Sequence, residues 1–160
     1  DAELLPLKNG AFDAVFCECS FCTFPDKAAS LAELYRVTRP GGWFALADVV
    51  VAEGALPEQL SGAWGRVACL ADAMPLEGYV RYVEQAGFRV DVVRDCDHAA
   101  LDFLKGIDSK LLLLRVGQAV GRVDTGGIDL REARALLKQA VALVQSGQVS
   151  YFYLLAQKPE

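Results

Sequence analysis

The chain has 160 residues and a net charge of −5, from 16 Lys and Arg against 21 Asp and Glu. Its 53% hydrophobic and 23% charged residues exclude intrinsic disorder and predict one globular domain. No apolar run reaches the roughly 18 residues that a membrane span needs, and the acidic balance argues against a nucleic-acid backbone as partner.

The first third of the chain predicts a strand, a helix and a second strand. Residues 11–19 are mostly apolar and follow a turn signal, which predicts a strand. Apolar residues at helical spacing predict a helix over 26–38, for which Thr23 or Asp26 is the candidate cap. The nearly continuous apolar run at 43–51 is typical of a strand that is buried on both faces of a parallel sheet.

The rest of the chain predicts helices separated by two short strands. Asp129 and Glu132 form a capping-box pattern at the start of the last helix. The helices are predicted over 57–70, 76–86, 99–120 and 130–146, and the strands over 88–93 and 149–156. This alternation predicts an α/β fold with a sheet flanked by helices.

The cysteine pattern predicts a reducing compartment. The five cysteines are an odd number, and Cys17, Cys19 and Cys22 crowd into six residues. The opening residues show no basic start and no apolar segment typical of a signal peptide. We therefore expect a cytoplasmic protein with free thiols.

Three segments stand in an order and at a spacing that are typical of a known family. They are Asp1–Leu7 with Ala11–Val15, then Leu31–Gly42, and then Tyr82–Phe88. Together they resemble class I S-adenosylmethionine-dependent methyltransferases, in the group that contains ubiquinone and menaquinone biosynthesis enzymes.

The resemblance implies an α/β fold with a partial Rossmann-like methyltransferase sheet. The four strands would be the family's fourth to seventh, in the order 4-5-7-6, with the last strand antiparallel. Residues 1–160 would form a single domain, the C-terminal part of a methyltransferase domain without its first three strands, with a helical insertion at about 97–148. Strand 11–19 would then present an unpaired edge, which favours strand pairing or a homodimer.

The resemblance also implies methyl transfer from S-adenosylmethionine to a small-molecule acceptor. The cofactor would lie across the crevice at the carboxyl ends of the strands. The glycine-rich turn and the acidic ribose-binding residue belong to the family's first strands, so we expect this chain alone to be inactive.

The family pattern assigns the cofactor-binding residues. Asp1 and Ala2 match positions that face the adenine, where a carboxylate accepts from the exocyclic amine. Cys17, Glu18 and Cys19 match the loop at the methionine end, where backbone carbonyls hold the ammonium group.

Three residues are catalytic candidates. Glu18 either orients the cofactor's ammonium or takes a proton, or it is a strand-end carboxylate with local hydrogen bonds. Cys22 falls on the acceptor side. Asp48, within the apolar run, either hydrogen-bonds a backbone group or reaches the acceptor.

Two alternatives to this function stay open. The segment at 99–148 forms either an acceptor lid or an interface, and in the second case the chain is a non-catalytic association module. The three clustered cysteines could instead bind a soft metal or metalloid. Against this, we expect Cys17 and Cys19 on one strand face as buried residues, and no fourth metal ligand is near in sequence, so no metal site is predicted.

Overall fold

The structure is a computed structural model that describes residues 1–54, 70, 72–124 and 126–160. The helix predicted over 57–70 lies outside the described residues, apart from its last residue. The chain divides into two compact units, Asp1–Asp95 with Tyr151–Glu160, and Cys96–Ser150. Among the described helices, none combines the length and the apolarity that a membrane crossing requires.

The first unit is built on a four-stranded sheet in the order β1-β2-β4-β3. Strands β1 and β2 are parallel, whereas β3 and β4 are antiparallel. The bounds are β1 Phe12–Glu18, β2 Thr38–Val51, β3 Arg89–Asp95 and β4 Val149–Gln157. This order confirms the predicted 4-5-7-6 arrangement.

Strands β2 and β4 are antiparallel to each other as well. Lys158, just after β4, exchanges backbone hydrogen bonds with Gly41 and Gly42 near the start of β2, each at 2.9 Å. The start of β4 therefore lies at the carboxyl end of β1 and β2. This places the first residues of β4 at the sheet edge where the cofactor crevice is predicted.

Strand β2 begins five residues before the predicted start at 43. Thr38 already has an extended backbone, and its Oγ1 donates to the carbonyl of Leu34, which ends the preceding helix. The register slips between Phe12↔Thr38 and Ala14↔Trp43, so residues 39–42 form an irregularity beside β1. A strand can absorb such extra residues as a bulge, which the apolar pattern alone does not reveal.

Two helices of this unit confirm their predictions. Helix α1 (Lys27–Val37) begins after Asp26, whose side chain accepts from the amide of Ala29 at 2.9 Å. Helix α2 (Leu76–Gln85) is followed by Gly87 with φ of +102°, a conformation that favours glycine. A short 3₁₀ turn, Phe21–Thr23, connects β1 to α1.

The core of this unit is formed between the sheet and these helices. Its aromatic centre comprises Phe21, Phe44, Tyr79 and Phe152, all at most 2% exposed, and the aliphatic side chains of both helices surround it. Burial of this apolar surface supplies most of the stabilisation of the unit.

Strand β1 is far more exposed than a central strand of a parallel sheet. Within the described residues it hydrogen-bonds β2 alone, and Phe16 is 79% exposed. Only Cys17 of this strand is buried. The predicted unpaired edge at this strand is therefore confirmed for the part of the chain that the structure describes.

The second unit is a helical pair. Helix α3 (Asp97–Ala119) has no buried residue, and helix α4 (Leu130–Gln145) buries Leu137 and Val144 among its apolar residues. Arg134 of α4 donates two hydrogen bonds to the carboxylate of Asp108 of α3, at 2.7 and 2.9 Å. Asp129 caps α4, as the sequence predicts, by accepting from the amides of Arg131 and Glu132.

Candidate active site

The chain turns sharply where β1 ends. Cys19 has a φ of +47°, the only positive φ among the described residues other than glycine, and its amide donates to the carbonyl of Ala47 at 2.9 Å. This left-handed residue lies in the loop where the resemblance puts the methionine end of a cofactor. Unusual backbone conformations of this kind often occur at binding sites.

The prediction that Cys17 and Cys19 share one strand face is wrong. Cys17 is 7% exposed, and its Sγ lies 3.2 Å from the hydroxyl of Ser20. Burial raises the pKa of the Cys17 thiol. Cys19 is exposed because β1 ends at Glu18 and the alternation of the strand no longer applies.

Asp48 holds the loop that follows β1. It is fully buried, and its Oδ2 accepts from the amide of Cys22 at 2.9 Å while its Oδ1 accepts from the amide of Val49 at 2.8 Å. A buried carboxylate needs such donors to offset its lost hydration. Of the two predicted roles for Asp48, this geometry favours the backbone hydrogen bond over contact with an acceptor.

Tyr151 extends the site from the start of β4. Its hydroxyl lies 3.5 Å from Oε1 of Glu18 and 3.5 Å from Sγ of Cys19. Burial, the hydrogen bond with Cys19 and the nearby acidic groups raise the pKa of Tyr151 well above its usual range, so the phenol stays protonated. Only the strand order reveals that Tyr151 reaches Glu18, because the two residues are 133 positions apart in the sequence.

The first residues of the chain lie at the same edge. Glu3 Oε1 accepts from the amide of Asp26 at 2.8 Å, which fixes this segment beside the start of α1, a few residues after the carboxyl end of β1. Asp1 is exposed, and one of its carboxylate oxygens accepts from the amide of Glu3 at 3.0 Å. The structure thus brings Asp1 and Ala2 to the side of the sheet where Glu18 and Cys19 lie.

Residues 5–9 are tied to the other end of α1. Glu33 accepts from the amide of Leu5 at 2.8 Å and forms two hydrogen bonds with Arg36, both at 2.7 Å. Arg36 also donates to the carbonyls of Leu5 and Leu7 at 3.1 and 2.8 Å and to the side chain of Asn9 at 2.7 Å. These hydrogen bonds lower the pKa of Glu33 to about 2. The sequence motif pointed to this helix but gave no sign of the network.

The described residues offer no support for thiol-based metal capture. Cys22 is fully buried in the 3₁₀ turn, and no group of three or more His, Cys, Asp or Glu side chains in the described ranges is arranged to hold a metal ion. His98, the only histidine, is a surface residue whose Nδ1 lies 3.3 Å from Asp102, one helical turn along α3.

Residues 1–46 match a family model described as a methyltransferase domain. These residues contain every candidate at this sheet edge except Asp48 and Tyr151. Over this range the chain is similar to methyltransferase domains, as the resemblance to class I S-adenosylmethionine-dependent methyltransferases predicts. The matched range covers β1, α1 and the first nine of the fourteen residues of β2.

Similar sequences carry methyltransferase names. An O-methyltransferase of Pyrenophora dematioidea is 28% identical over 126 residues, which is 79% of this chain and 46% of that protein. The demethylmenaquinone methyltransferase of Thermus thermophilus is 45% identical over 67 residues, 42% of this chain and 27% of the enzyme. The chain thus spans less than half the length of these relatives.

Solved structures of proteins with methyltransferase names share this fold. Phosphoethanolamine N-methyltransferase 2 of Haemonchus contortus, in complex with phosphomonomethylethanolamine and S-adenosylhomocysteine, superposes with a TM-score of 0.79 at 16% identity, over 100% of this chain and 36% of that one. The [4+2]-cyclase SpnF superposes with a TM-score of 0.66 at 21% identity, over 99% of this chain and 54% of that one. The second name shows that this fold alone does not fix the reaction.

Proposed function

We propose that this chain forms the acceptor-side half of a methyltransferase that transfers a methyl group from S-adenosylmethionine to a small molecule. The proposal is supported by the match of residues 1–46 to a methyltransferase domain model, together with the hydrogen bond that holds Glu3 beside Asp26, after the carboxyl end of β1. When bound, S-adenosylmethionine supplies a methyl group on a positively charged sulfur.

The chemistry of the exposed groups fits the two ends of this cofactor. Asp1 keeps a carboxylate oxygen beyond the one that accepts from Glu3, and it would accept from the adenine amine. The carboxylate of Glu18, with the backbone carbonyls of Cys17 and Cys19, would hold the ammonium group. All of these groups are acceptors, as a ligand with two donor ends requires.

The other polar residues support this half-site. Asp48 fixes the loop through the amide of Cys22, and the Tyr151 hydroxyl donates to Glu18. Methyl transfer depends mainly on alignment of the acceptor with the methyl group, so rigid supports of this kind matter more than a strong base. Cys22 is fully buried, so we assign its amide a structural role and leave contact with the acceptor to exposed neighbours.

The remainder of the sheet would lie beside β1. A parallel strand with helices on both faces is normally buried, but β1 is largely exposed, and the chain spans only 27% to 46% of the two relatives. We propose that three further strands and their glycine-rich turn complete the cofactor pocket there. The predicted homodimer and the cytoplasmic location stay predictions.

Calorimetric titration of S-adenosylhomocysteine into the full-length protein tests the proposal. We expect one site per protein and binding that is weakened about tenfold in Glu18→Gln, because the variant lacks the negative charge that faces the ammonium group. Asp91→Asn is the matched control, since its carboxylate pairs with Arg89 on β3. Absence of binding to the unaltered full-length protein would refute the proposal.

The cyclase among the structures of similar fold suggests the competing hypothesis, a reaction other than methyl transfer. The fold alone is compatible with a reaction other than methyl transfer. Incubation with methyl-labelled S-adenosylmethionine and candidate acceptors distinguishes the two, since a methyltransferase releases S-adenosylhomocysteine in proportion to labelled product. Tight binding without such release over a broad acceptor panel would favour the alternative.

A further inference from the structure

The segment before β1 is held along helix α1 at two points. Near the start of α1, Glu3 accepts from the amide of Asp26 at 2.8 Å. Near its end, Arg36 uses its guanidinium and its own carbonyl, the latter accepting from the amide of Gly10 at 2.9 Å. Residues 1–9 therefore follow the length of α1 and return to the sheet at Gly10.

The second attachment point is unusually rich in charge-assisted hydrogen bonds. The Glu33 carboxylate and the Arg36 guanidinium pair in a two-point arrangement, and both then bond the backbone of Leu5 from opposite sides, amide and carbonyl. Their side chains are 16% and 29% exposed, so water competes little for them. A lysine in place of Arg36 could not make all of these hydrogen bonds, because its side chain has a single nitrogen.

We propose that Glu33 and Arg36 are positioning residues that hold Asp1 and Ala2 in the conformation that reads the adenine base. The inference rests on the proposed function, which assigns Asp1 and Ala2 to the adenine. Neither residue needs to touch the cofactor. They act through the backbone of residues 5–9, which would otherwise lose conformational entropy on each binding event.

The inference predicts a specific loss in two conservative variants. Glu33→Gln removes the charge that pairs with Arg36, and Arg36→Lys removes the branched contacts with Leu5 and Leu7. In the full-length protein we expect each variant to bind S-adenosylhomocysteine at least about tenfold more weakly. At saturating cofactor the turnover number should stay unchanged, so that the effect appears in KM alone.

A second ligand separates positioning from general destabilisation. S-inosylhomocysteine carries a carbonyl where the adenine has its exocyclic amine, so it places an acceptor against the Asp1 carboxylate. The unaltered protein should prefer the adenine ligand by about tenfold or more. Glu33→Gln and Arg36→Lys should lose this preference, which a loss of global stability would not change.

Arg89→Lys serves as the matched control. Arg89 also pairs with a carboxylate, that of Asp91, and contacts Gln157, but it lies on β3 and is 65% exposed. Its variant should keep both the affinity and the preference. Circular dichroism of each variant confirms that the fold is retained.

The outcomes are distinguishable. If the unaltered full-length protein binds neither ligand, the proposed function fails and the inference with it. If it binds and prefers the adenine ligand, but Glu33→Gln and Arg36→Lys bind and discriminate as well as it does, the inference is overturned while the proposed function stands. Loss of preference in both variants with Arg89→Lys unaffected supports the positioning role.

Discussion

The Oδ2 atom of Asp48 accepts a hydrogen bond from the backbone amide of Cys22 at 2.9 Å, although the two residues are 26 positions apart. This contact joins β2 to the 3₁₀ turn after β1, and it lies entirely in the interior. The turn and the strand end therefore form one rigid support beneath the exposed Glu18 and Cys19.

Removal of the Asp48 carboxylate should destabilise the protein. Asp48→Ala leaves the amides of Cys22 and Val49 without their acceptor, and we expect a loss of about 3 kcal/mol in the free energy of unfolding. Asp48→Asn should cost about 1–2 kcal/mol, since one of the two amides then faces an NH₂ group. Urea denaturation measures both.

Asp13→Asn is the matched control for this series. Asp13 pairs with Arg39 at the surface, with 85% of its side chain exposed, and its loss should change stability by less than about 0.5 kcal/mol. Equal effects of Asp48→Asn and Asp13→Asn would contradict the supporting role of Asp48.

The carboxyl group of Glu33 should titrate at about pH 2 in the folded protein, against an ordinary value of 4.5. The pKa is lowered on folding, so the ionised form stabilises the fold fully above the ordinary value. That contribution is lost as the pH falls from 4.5 through about 2. Side-chain carbon shifts in nuclear magnetic resonance measure the midpoint.

Arg36→Met tests the cause of that shift. Without the guanidinium, Glu33 keeps only the Leu5 amide as a donor, and its midpoint should move up toward 4.5. A midpoint that stays near 2 in Arg36→Met would show that Arg36 is not the main cause.

The clustered cysteines should differ in reactivity with iodoacetamide. Cys19 is exposed, whereas Cys17 is buried with a raised pKa and Cys22 is fully buried. Because the thiolate is the reactive form, Cys19 should be modified first in the native protein. Peptide mass spectrometry after short incubation reads out the order. Denatured protein, in which all three react, is the control, and faster modification of Cys17 than of Cys19 would contradict the structure.

Two glycines should respond in opposite ways to alanine. A Cβ at Gly42 would lie 2.8 Å from the carbonyl of Arg39 and 3.0 Å from that of Asp13, so Gly42→Ala should cost about 1–3 kcal/mol. Gly106 lies within α3 with no atom within 4 Å of the added Cβ. Gly106→Ala should therefore stabilise by about 0.5–1 kcal/mol, through helix propensity. Thermal unfolding followed by circular dichroism compares them, and a tolerated Gly42→Ala would argue against the close approach of β1 to the bulge in β2.

The spacing of apolar residues, together with turn and capping residues, sufficed to predict most elements of this fold. Asp26 and Asp129 are caps with a direct chemical signature, and the apolar run before Val51 predicted a buried strand. The arrangement of the site was harder to predict from the sequence. Tyr151 reaches Glu18 only because β4 lies two strands away from β1 and runs the other way, a fact of topology that local sequence does not contain.

The wrong prediction for the two cysteines has a local cause. The alternation of side chains that predicts one face for Cys17 and Cys19 applies only within the strand, which ends at Glu18. The positive φ of Cys19 could not be predicted, because the residue is not a glycine. Likewise, the run at 151–153 mixes three environments, with Phe152 in the core, Tyr151 at the site and Tyr153 41% exposed. Neighbouring residues in a strand face opposite sides, so one apolar run does not imply one environment.

The chain leaves the sheet at Asp95 and returns at Tyr151, and Asp95 lies opposite Phe152 in the β3–β4 ladder. The exit and entry points of the helical unit are thus one strand spacing apart, the geometry of an ordinary hairpin. Replacement of residues 96–148 by another segment, or by a short turn, would leave the register of both strands unchanged.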